Sequence, residues 1–450
     1  MKADLILRNV RLTRNQLVDV AITGGHISHM GKQLSLSGAK IDGKGLRLLP
    51  GLIDHHIHLL ATAAKLASVD LQGSNSADEI AQHLGNARPD SAGWIRAIGY
   101  DETAAGLLDR ALLDQWVPTY PVRVQDRTGA LWMLNSRAIE RLGSGPFPPC
   151  VERTVTGALT GRVWRGDAWL GETIGQTPPP LAQLGKALAR FGVTGVTDAG
   201  ARNGPVEAAL LSGALPQRLM LMGSEDLPRS SQYTRGPLKL LYDERDLPDL
   251  DAIAARIKNA RADGRTVAAH CVTLAELLFF FAALDAAGGT HLGDRIEHGS
   301  VIPASFIPDI ASRRLTVVTQ PGFVATRGDR YLAQTPAHER PDLYRLRSLL
   351  TAGVPLAAGS DAPYGDANPW IGIRAAQDRK TASHKILGPA ERLERDQAIS
   401  LSMGSFEHPG GPPRQVKIGA PADLILVRAD PIEPVCLTMI GGTILHRAIE

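Results

Sequence analysis

Two histidines separated by one residue, His56 and His58, are the first candidates for chemistry in this sequence, within PGLIDHHIHL. On a β-strand, residues two apart project from the same face, so both imidazoles can bind one metal ion while His55 points away. An HxH pair alone is a weak indication, because two buried histidines with ordinary hydrogen-bond partners give the same pattern. The pair becomes strong evidence for a metal site only if further metal-binding residues occur elsewhere in the sequence.

Three further metal-binding side chains follow apolar segments later in the chain. His270 ends TVAAH, His298 ends DRIEH and Asp361 ends PLAAGSD. A residue just after a buried parallel strand lies at the C-terminal mouth of a barrel, where barrel enzymes place their chemistry. Four histidines and a carboxylate at one mouth predict a metal site. Zinc is the expected ion because imidazole dominates, although this ligand set does not exclude other divalent ions.

The segments that must position these residues alternate strands with amphipathic helices. One such helix is predicted in 249–264, with Leu250, Ile253, Ala254 and Ile257 on one face. Eight β units separated by helical intervals are what a (β/α)₈ TIM barrel requires. The predicted barrel strands lie in 51–59, 192–200, 217–223, 237–243, 266–272, 294–300, 316–322 and 355–361.

Both ends of the chain read as short alternating strands divided by Gly and Asn turns. Neither end alone has enough residues to bury a core, so we predict one composite β-sandwich domain from residues 1–49 and 412–450. The barrel then spans 50–411. Its first two strands are separated by about 60–190, too long for a structureless loop, and we interpret this stretch as a folded insertion that contains WIRAIGY and YPVRVQD.

These motifs together resemble the metal-dependent amidohydrolase superfamily, and most closely the amidohydrolase family 3 branch that includes N-substituted formamide deformylase-like hydrolases. The similarity rests on PGLIDxHxH, the two later strand-end histidines and the GSD aspartate. GYDET, LNSRAIERLG, GVTGVTDAG, RIEHGS and GSDAPYGDANP extend it over nearly the whole chain. The resemblance implies a site with two divalent metal ions.

The resemblance also implies that Lys239, in RGPLKLL, reacts with CO₂ and bridges the two ions as a carbamate. A lysine buried in an apolar strand has a lowered pKa, and the neutral amine is the form that can be carboxylated. Two alternatives stay open. Lys239 is unmodified and pairs with a carboxylate, or the site holds one ion bound by His56, His58, Asp361 and either His270 or His298.

The expected reaction is hydrolysis of a C–N bond in an amide, formamide or cyclic amide of a small molecule by a metal-activated hydroxide. Asp361 is the expected general base and acid. A second interpretation is a mononuclear deaminase of a heterocyclic amidine. Lys239 favours the binuclear amide hydrolase over this deaminase. A third is a metal-free binding scaffold, which the complete ligand set argues against.

Two other residues complete the predicted site. Tyr100, after an apolar segment of the insertion, and Gln320, at the end of the seventh barrel strand, are expected to bind substrate. Cys271 follows His270, but a strand neighbour points to the opposite face, so we interpret it as a core residue.

Composition narrows the class of protein. The 450 residues carry a net charge of +3 with 5% aromatic residues, which favours neither nucleic acid nor a membrane surface as partner. Three separated cysteines form no CxxC pair, and the N-terminal segment does not resemble a signal peptide, so we expect a cytoplasmic protein. Homo-oligomer formation stays open.

Overall fold

A computed structural model describes residues 2–13, 16–175, 179–428 and 435–449. The chain divides into two compact units: Met1–Leu59 with Ala182–Glu450, and Leu60–Leu181. The six predicted metal ligands belong to the first unit and Tyr100 to the second. The domain limits predicted from the sequence are a finer division and stay a prediction.

The described strands are, in chain order, β1 (Lys2–Thr13), β2 (Gln16–Thr23), β3 (His26–Gly31), β4 (Ser37–Asp42), β5 (Arg47–Pro50), β6 (Leu52–Ile57), β7 (Val69–Asp70), β8 (Ile95–Tyr100), β9 (Val122–Asp126), β10 (Leu131–Leu134), β11 (Val151–Arg153), β12 (Leu159–Trp164), β13 (Val193–Asp198), β14 (Arg218–Gly223), β15 (Thr234–Leu240), β16 (Val267–Cys271), β17 (Arg295–His298), β18 (Thr316–Thr319), β19 (Leu356–Ala358), β20 (Leu424–Val427), β21 (Val435–Ile440) and β22 (Thr443–Arg447).

The described α-helices are α1 (Leu59–Leu66), α2 (Ala77–Gly85), α3 (Glu102–Ala105), α4 (Arg110–Trp116), α5 (Ser136–Leu142), α6 (Asp167–Ile174), α7 (Leu181–Arg190), α8 (Pro205–Leu211), α9 (Leu250–Ala262), α10 (Leu274–Ala286), α11 (Ile307–Ser312), α12 (Gly322–Gln334), α13 (Arg347–Thr351), α14 (Pro369–Asp378) and α15 (Arg395–Ser400). Among the described residues, no helix is both long enough and apolar enough to cross a bilayer.

The first unit contains a nearly closed barrel of eight parallel strands. Their order is β6-β13-β14-β15-β16-β17-β18-β19, so each strand pairs with the next along the chain. Two backbone hydrogen bonds join the ends of the sheet: the N–H of Asp361 donates to His56 O at 2.7 Å, and the N–H of His58 donates to Ala362 O at 2.9 Å. The eight strands predicted from the sequence are confirmed.

Buried strands and one-sided helices explain this barrel. Val267 and Ala268 on β16 lie on opposite faces and are both fully buried, as expected for a strand covered on both faces. The predicted helix in 249–264 is confirmed as α9. Asp249 caps it by accepting a hydrogen bond from Ala252 N at 2.8 Å. Ile253 and Ile257 then pack into the same apolar cluster as β16.

Strands from both chain ends form one eight-stranded mixed sheet. The order is β22-β21-β20-β5-β1-β2-β3, and β4 pairs with β1. Strand β5 joins the two ends, since Leu49 pairs with Ile425 in the antiparallel β5–β20 ladder. The contribution of both ends to one sheet is confirmed, whereas the two-layer sandwich is not confirmed and stays a prediction.

The second unit has a separate six-stranded sheet, in the order β11-β12-β10-β9-β8-β7. WIRAIGY and YPVRVQD of the sequence form β8 and β9, which pair in parallel. Tyr100, at the end of β8, lies in this unit's apolar cluster with Ile95 and Val124.

Candidate metal centre

All six predicted ligands line one cavity of about 610 Å³ in the first unit. They lie at or near the C-terminal ends of barrel strands, or just beyond them, as predicted. We call this space the histidine-lined cavity. Besides the six predicted ligands, its lining includes Phe323, Arg327, Tyr331, Tyr344 and Tyr364.

His56, His58 and Asp361 form the tightest group of metal-binding atoms. One potential ligand atom from each lies within 4.8 Å of the others. Both Nε2 atoms approach the same oxygen, Asp361 Oδ1, at 3.4 Å from His56 and 3.2 Å from His58. Burial raises the pKa of Asp361, but its contact with His58 outweighs burial and holds that pKa below the usual range. Asp361 is therefore an ionised carboxylate at neutral pH.

Glu297 fixes the orientation of the His56 ring. Its Oε2 accepts a hydrogen bond from His56 Nδ1, and its Oε1 accepts one from Arg295 Nε at 2.6 Å. Burial raises the pKa of Glu297, but Arg295 and Lys239 outweigh it, so that pKa lies well below the ordinary value. An ionised carboxylate can only accept hydrogen bonds, so His56 carries its proton on Nδ1.

The Nε2 atom of His56 therefore carries no proton and presents a lone pair. Burial lowers the pKa of His56, which keeps the ring neutral. This nitrogen is buried and has no hydrogen-bond donor among the described residues. It nevertheless lies 3.4 Å from the ionised Asp361 Oδ1. Two electron-rich atoms at this distance fit a bound cation, and a buried carboxylate–histidine pair is the usual support of a metal-bound imidazole.

His298 and His270 extend the group across the mouth. The His298 ring lies 4.7 Å from the His56 ring and 4.4 Å from the His270 ring, between centroids. Burial lowers the pKa of His298 well below its ordinary value and that of His270 to about 4, with Lys239 adding to the effect at His270. Both rings are neutral at pH 7, which is the form that binds metal.

Lys239, on β15, is the most unusual group of the cavity. It is 4% exposed, and its Nζ has no hydrogen-bond partner in the described part of the chain. Burial lowers its pKa. A buried amine without an acceptor is costly as an ammonium ion, so burial shifts its protonation equilibrium towards the neutral form. The neutral amine is the form that carboxylation requires, although the charges of Glu297 and Asp361 raise the pKa of Lys239 and oppose the effect of burial.

Backbone conformation places two of these side chains. His298 has φ +69° and Asp361 has φ +53°, both in the left-handed region that residues other than glycine rarely adopt. Strand alternation places Glu297 and His298 on opposite faces, yet both contact His56 because the chain turns at His298. Such local strain persists where the surrounding structure fixes it, often at functional sites.

Asp54 ties the first strand of the barrel to the segment after the last. Its Oδ1 accepts hydrogen bonds from His56 N at 3.1 Å and Ser360 N at 2.9 Å. Burial raises the pKa of Asp54 to about 6. This residue is the aspartate of PGLIDxHxH, and its position shows what that part of the motif does: it holds the backbone beside two candidate ligands.

Gln320 and Tyr100, the predicted substrate contacts, have clear places in the structure. Gln320 is fully buried, and its Oε1 accepts a hydrogen bond from His298 Nδ1 at 2.8 Å, which leaves His298 Nε2 without a proton. Tyr100 is 2% exposed, and its hydroxyl donates to Gly106 O at 2.5 Å within the second unit. These contacts give Gln320 an orienting role and Tyr100 a packing role, and contact with substrate stays a prediction for both.

Cys271 occupies the position expected of it. It is 1% exposed and belongs to the apolar cluster behind the barrel strands. Burial raises the pKa of its thiol. The interpretation of Cys271 as a core residue is confirmed.

Sequence reasoning missed Glu297 and Arg295. A usable signal was present in RIEHGS, because Arg and Glu two residues apart in a buried strand must neutralise each other. Arg327 was also missed. It lies on α12, where no motif marks it, and only the fold brings it to the cavity.

Comparisons with known proteins agree with this fold. The sequence model of the amidohydrolase family matches residues 39–438. N-substituted formamide deformylase of Arthrobacter pascens is 24% identical, over 95% of this chain and 94% of that protein. An uncharacterised metal-dependent hydrolase of Pyrococcus horikoshii superimposes with a TM-score of 0.77 at 18% identity, covering 95% of this chain and 98% of that one. A variant of atrazine chlorohydrolase from Arthrobacter aurescens, complexed with zinc and atraton, gives 0.56 at 15% identity, covering 99% and 95%.

Proposed function

The chain belongs to the amidohydrolase family and is an enzyme acting on C–N bonds, and we propose that it hydrolyses an amide, formamide or cyclic amide of a small molecule with two divalent metal ions, most simply zinc. The relative of Arthrobacter pascens is named for cleavage of N-substituted formamides, and the atrazine chlorohydrolase structure contains zinc. Both names support the proposal without fixing the substrate.

The donors that would hold the ions are His56, His58, Lys239 as its carbamate, His270, His298 and Asp361. When bound, such ions lower the pKa of coordinated water and polarise a carbonyl group. Glu297 and Gln320 hold two of the imidazoles with the correct nitrogen deprotonated. These neutral rings and the carboxylate match the ligand preference of zinc.

Asp361 supplies the proton transfer in this proposal. It is ionised and buried, and it lies against the Nε2 atoms of His56 and His58. From this position its carboxylate can accept a proton from the attacking water and then give it to the leaving amine. The backbone N–H of Asp361 donates a hydrogen bond to His56 O at 2.7 Å, and this bond keeps the carboxylate in place.

One observation carries the proposal: His56 Nε2 and Asp361 Oδ1 are both buried, neither has a hydrogen-bond partner among the described residues, and they lie 3.4 Å apart. Without a cation these two atoms repel each other. His56, His58 and Asp361 would hold a cation that relieves this repulsion, and with it bound the cluster would be a site for hydrolysis.

A screen of N-formyl amines, N-acyl amines, cyclic ureides and lactams with metal-loaded protein tests this function. We expect amine release from at least one class, and a drop of about 10²–10⁴-fold in kcat for Asp361→Asn. The matched control is Asp366→Asn, an exposed aspartate five residues later. Ammonia release from heterocyclic amidines without amide cleavage would instead support a deaminase.

A further inference from the structure

Arg327 is a cationic group of the histidine-lined cavity that the proposed chemistry does not use. It lies on α12, which follows the seventh barrel strand, and it is partly buried. Arg327 and Lys239 are the only lysine or arginine side chains among the described residues lining this cavity, and Asp361 is the only acidic one. Since Asp361 belongs to the metal ligands, the charge of Arg327 has no counterpart on the cavity wall.

The protein holds this guanidinium in place while leaving most of its donors unused. Its Nη2 donates to Tyr364 O at 2.6 Å, and its Cζ lies 3.9 Å from the centre of the Phe323 ring. Within the described ranges it has no carboxylate in ion-pair contact and no other hydrogen bond. One of five N–H donors is therefore satisfied. A guanidinium stacked on an aromatic ring loses little entropy when it binds an anion.

Its position is close to the candidate ligands. The Tyr364 carbonyl that fixes Arg327 belongs to a turn in which Tyr364 N donates to Asp361 O at 2.8 Å. The Tyr364 ring packs edge-on against His58, with 5.8 Å between centroids. Arg327 is thus joined through one residue to both His58 and Asp361, on the wall beside the site of bond cleavage.

The wall around Arg327 is aromatic. Tyr344 contacts Phe323 with 6.0 Å and Tyr331 with 5.5 Å between ring centroids, and the Tyr331 and Tyr344 hydroxyl oxygens are 3.0 Å apart. This surface fits an apolar or aromatic group next to an anion. A single guanidinium matches the bidentate geometry and single charge of a carboxylate.

We propose that Arg327 binds a carboxylate of the substrate, so that the preferred substrates are amides bearing both a carboxylate and an apolar or aromatic group, as in N-acyl amino acids. The reaction in this proposal rests on the proposed C–N hydrolysis, whereas the binding of the carboxylate by Arg327 does not depend on it. Arg327 would determine which amide enters, while the strand-end residues act on the bond.

Matched pairs of compounds test the proposal. N-formyl- and N-acetylphenylalanine, as both enantiomers, are compared with the corresponding amides of 2-phenylethylamine, which lack only the carboxylate. For the wild type we expect kcat/KM to be about 10- to 150-fold higher for the carboxylate compound, as for one hydrogen bond to a charged group. Arg327→Met should remove this preference and leave the neutral amide within about threefold of wild type. Arg327→Lys should keep part of it.

Arg330→Met is the matched control, because Arg330 lies three residues along the same helix, is exposed and bonds to Gln334 at 2.8 Å. It should keep the full preference. Equal kcat/KM for both members of the pair, or an equal loss for both in Arg327→Met, would overturn the proposal while hydrolysis stands.

Calorimetric binding of the same pairs separates the two failures. If neither these pairs nor any compound of the screen above is cleaved, the proposed function fails. The Arg327 proposal then stands only if the wild type binds the carboxylate compound at least tenfold more tightly than the neutral one and Arg327→Met abolishes the difference. Equal binding, or no binding of either, overturns it.

Discussion

Glu297 joins His56 to Arg295 in one buried hydrogen-bonded chain. The carboxylate accepts from His56 Nδ1 on one oxygen and from Arg295 Nε at 2.6 Å on the other, and Arg295 Nη2 donates to His55 O at 3.0 Å. Arg295, Glu297 and His56 are at most 2% exposed. The chain therefore sets the tautomer of a candidate ligand and neutralises an arginine inside the barrel.

Glu297→Gln should weaken metal binding about 10- to 100-fold, because the amide no longer fixes the proton on His56 Nδ1 as a carboxylate does. It should also lower the free energy of unfolding by about 3 kcal/mol, since Arg295 loses its buried counter-charge. Competition with a chromogenic chelator at pH 7 measures the first effect, and urea denaturation the second.

Glu339→Gln, at an exposed glutamate, controls for the loss of a negative charge. It should leave both quantities unchanged. Metal affinity equal to wild type in Glu297→Gln would show that Glu297 does not support a ligand.

Lys239→Ala should reduce the number of bound divalent ions per chain, because a carbamate bridge cannot form on alanine. Short carboxylic acids should restore part of the activity by occupying the vacated place. Plasma emission spectrometry gives the metal content, and ¹³C NMR of wild-type protein in labelled bicarbonate reports the carbamate directly. Lys258→Ala, at an exposed lysine on α9, is the matched control. An unchanged ion count and no carbamate signal would leave Lys239 as an unmodified lysine.

The metal-free protein should lose stability as pH falls from about 6.5 to about 4. Burial and Lys239 lower the pKa of His270 from 6.5 to about 4, so the unfolded chain binds a proton in this range that the folded protein does not. Stability therefore rises with pH wherever the unfolded state binds more protons. His270→Gln should flatten this dependence in urea denaturation between pH 4 and 7, whereas His384→Gln, at an exposed histidine, should not. Identical slopes for all three proteins would refute the assignment.

Cys271→Ala should keep kcat/KM close to wild type and lower stability by about 1 kcal/mol, the usual size of a small core deletion. The thiol is buried with a raised pKa, so it is not the reactive thiolate. Iodoacetamide followed by mass spectrometry should modify the partly exposed Cys150 first in the folded protein. Rapid alkylation of Cys271 accompanied by loss of activity would assign it a catalytic part.

The barrel and its candidate ligands were predictable because both have local sequence signals. Parallel strands covered on both faces are short apolar runs, and a His or Asp at the end of such a run projects into the mouth. Val267 to His270 shows both signals within four residues. The shared orientation of His56 and His58 was predictable from the two-residue repeat of a β-strand alone.

The surroundings of the ligands were not predictable in this way. Alternation along β17 assigns Glu297 and His298 to opposite faces, and only the left-handed backbone at His298 brings both to His56. Arg327 reaches the cavity through the packing of α12, which no period in the sequence specifies. Tyr100 reads as a polar residue at a strand end, but its ring completes the core of the second unit.

Metal content measured together with amide hydrolysis tests the central claim most directly. Gently purified wild-type protein should contain stoichiometric divalent metal, lose hydrolysis on chelation and regain it with added zinc. A His56→Ala/His58→Ala double variant should bind far less metal and show no hydrolysis. Wild-type protein that is metal-free as isolated, takes up no divalent ion and still cleaves amides after chelation would contradict the account.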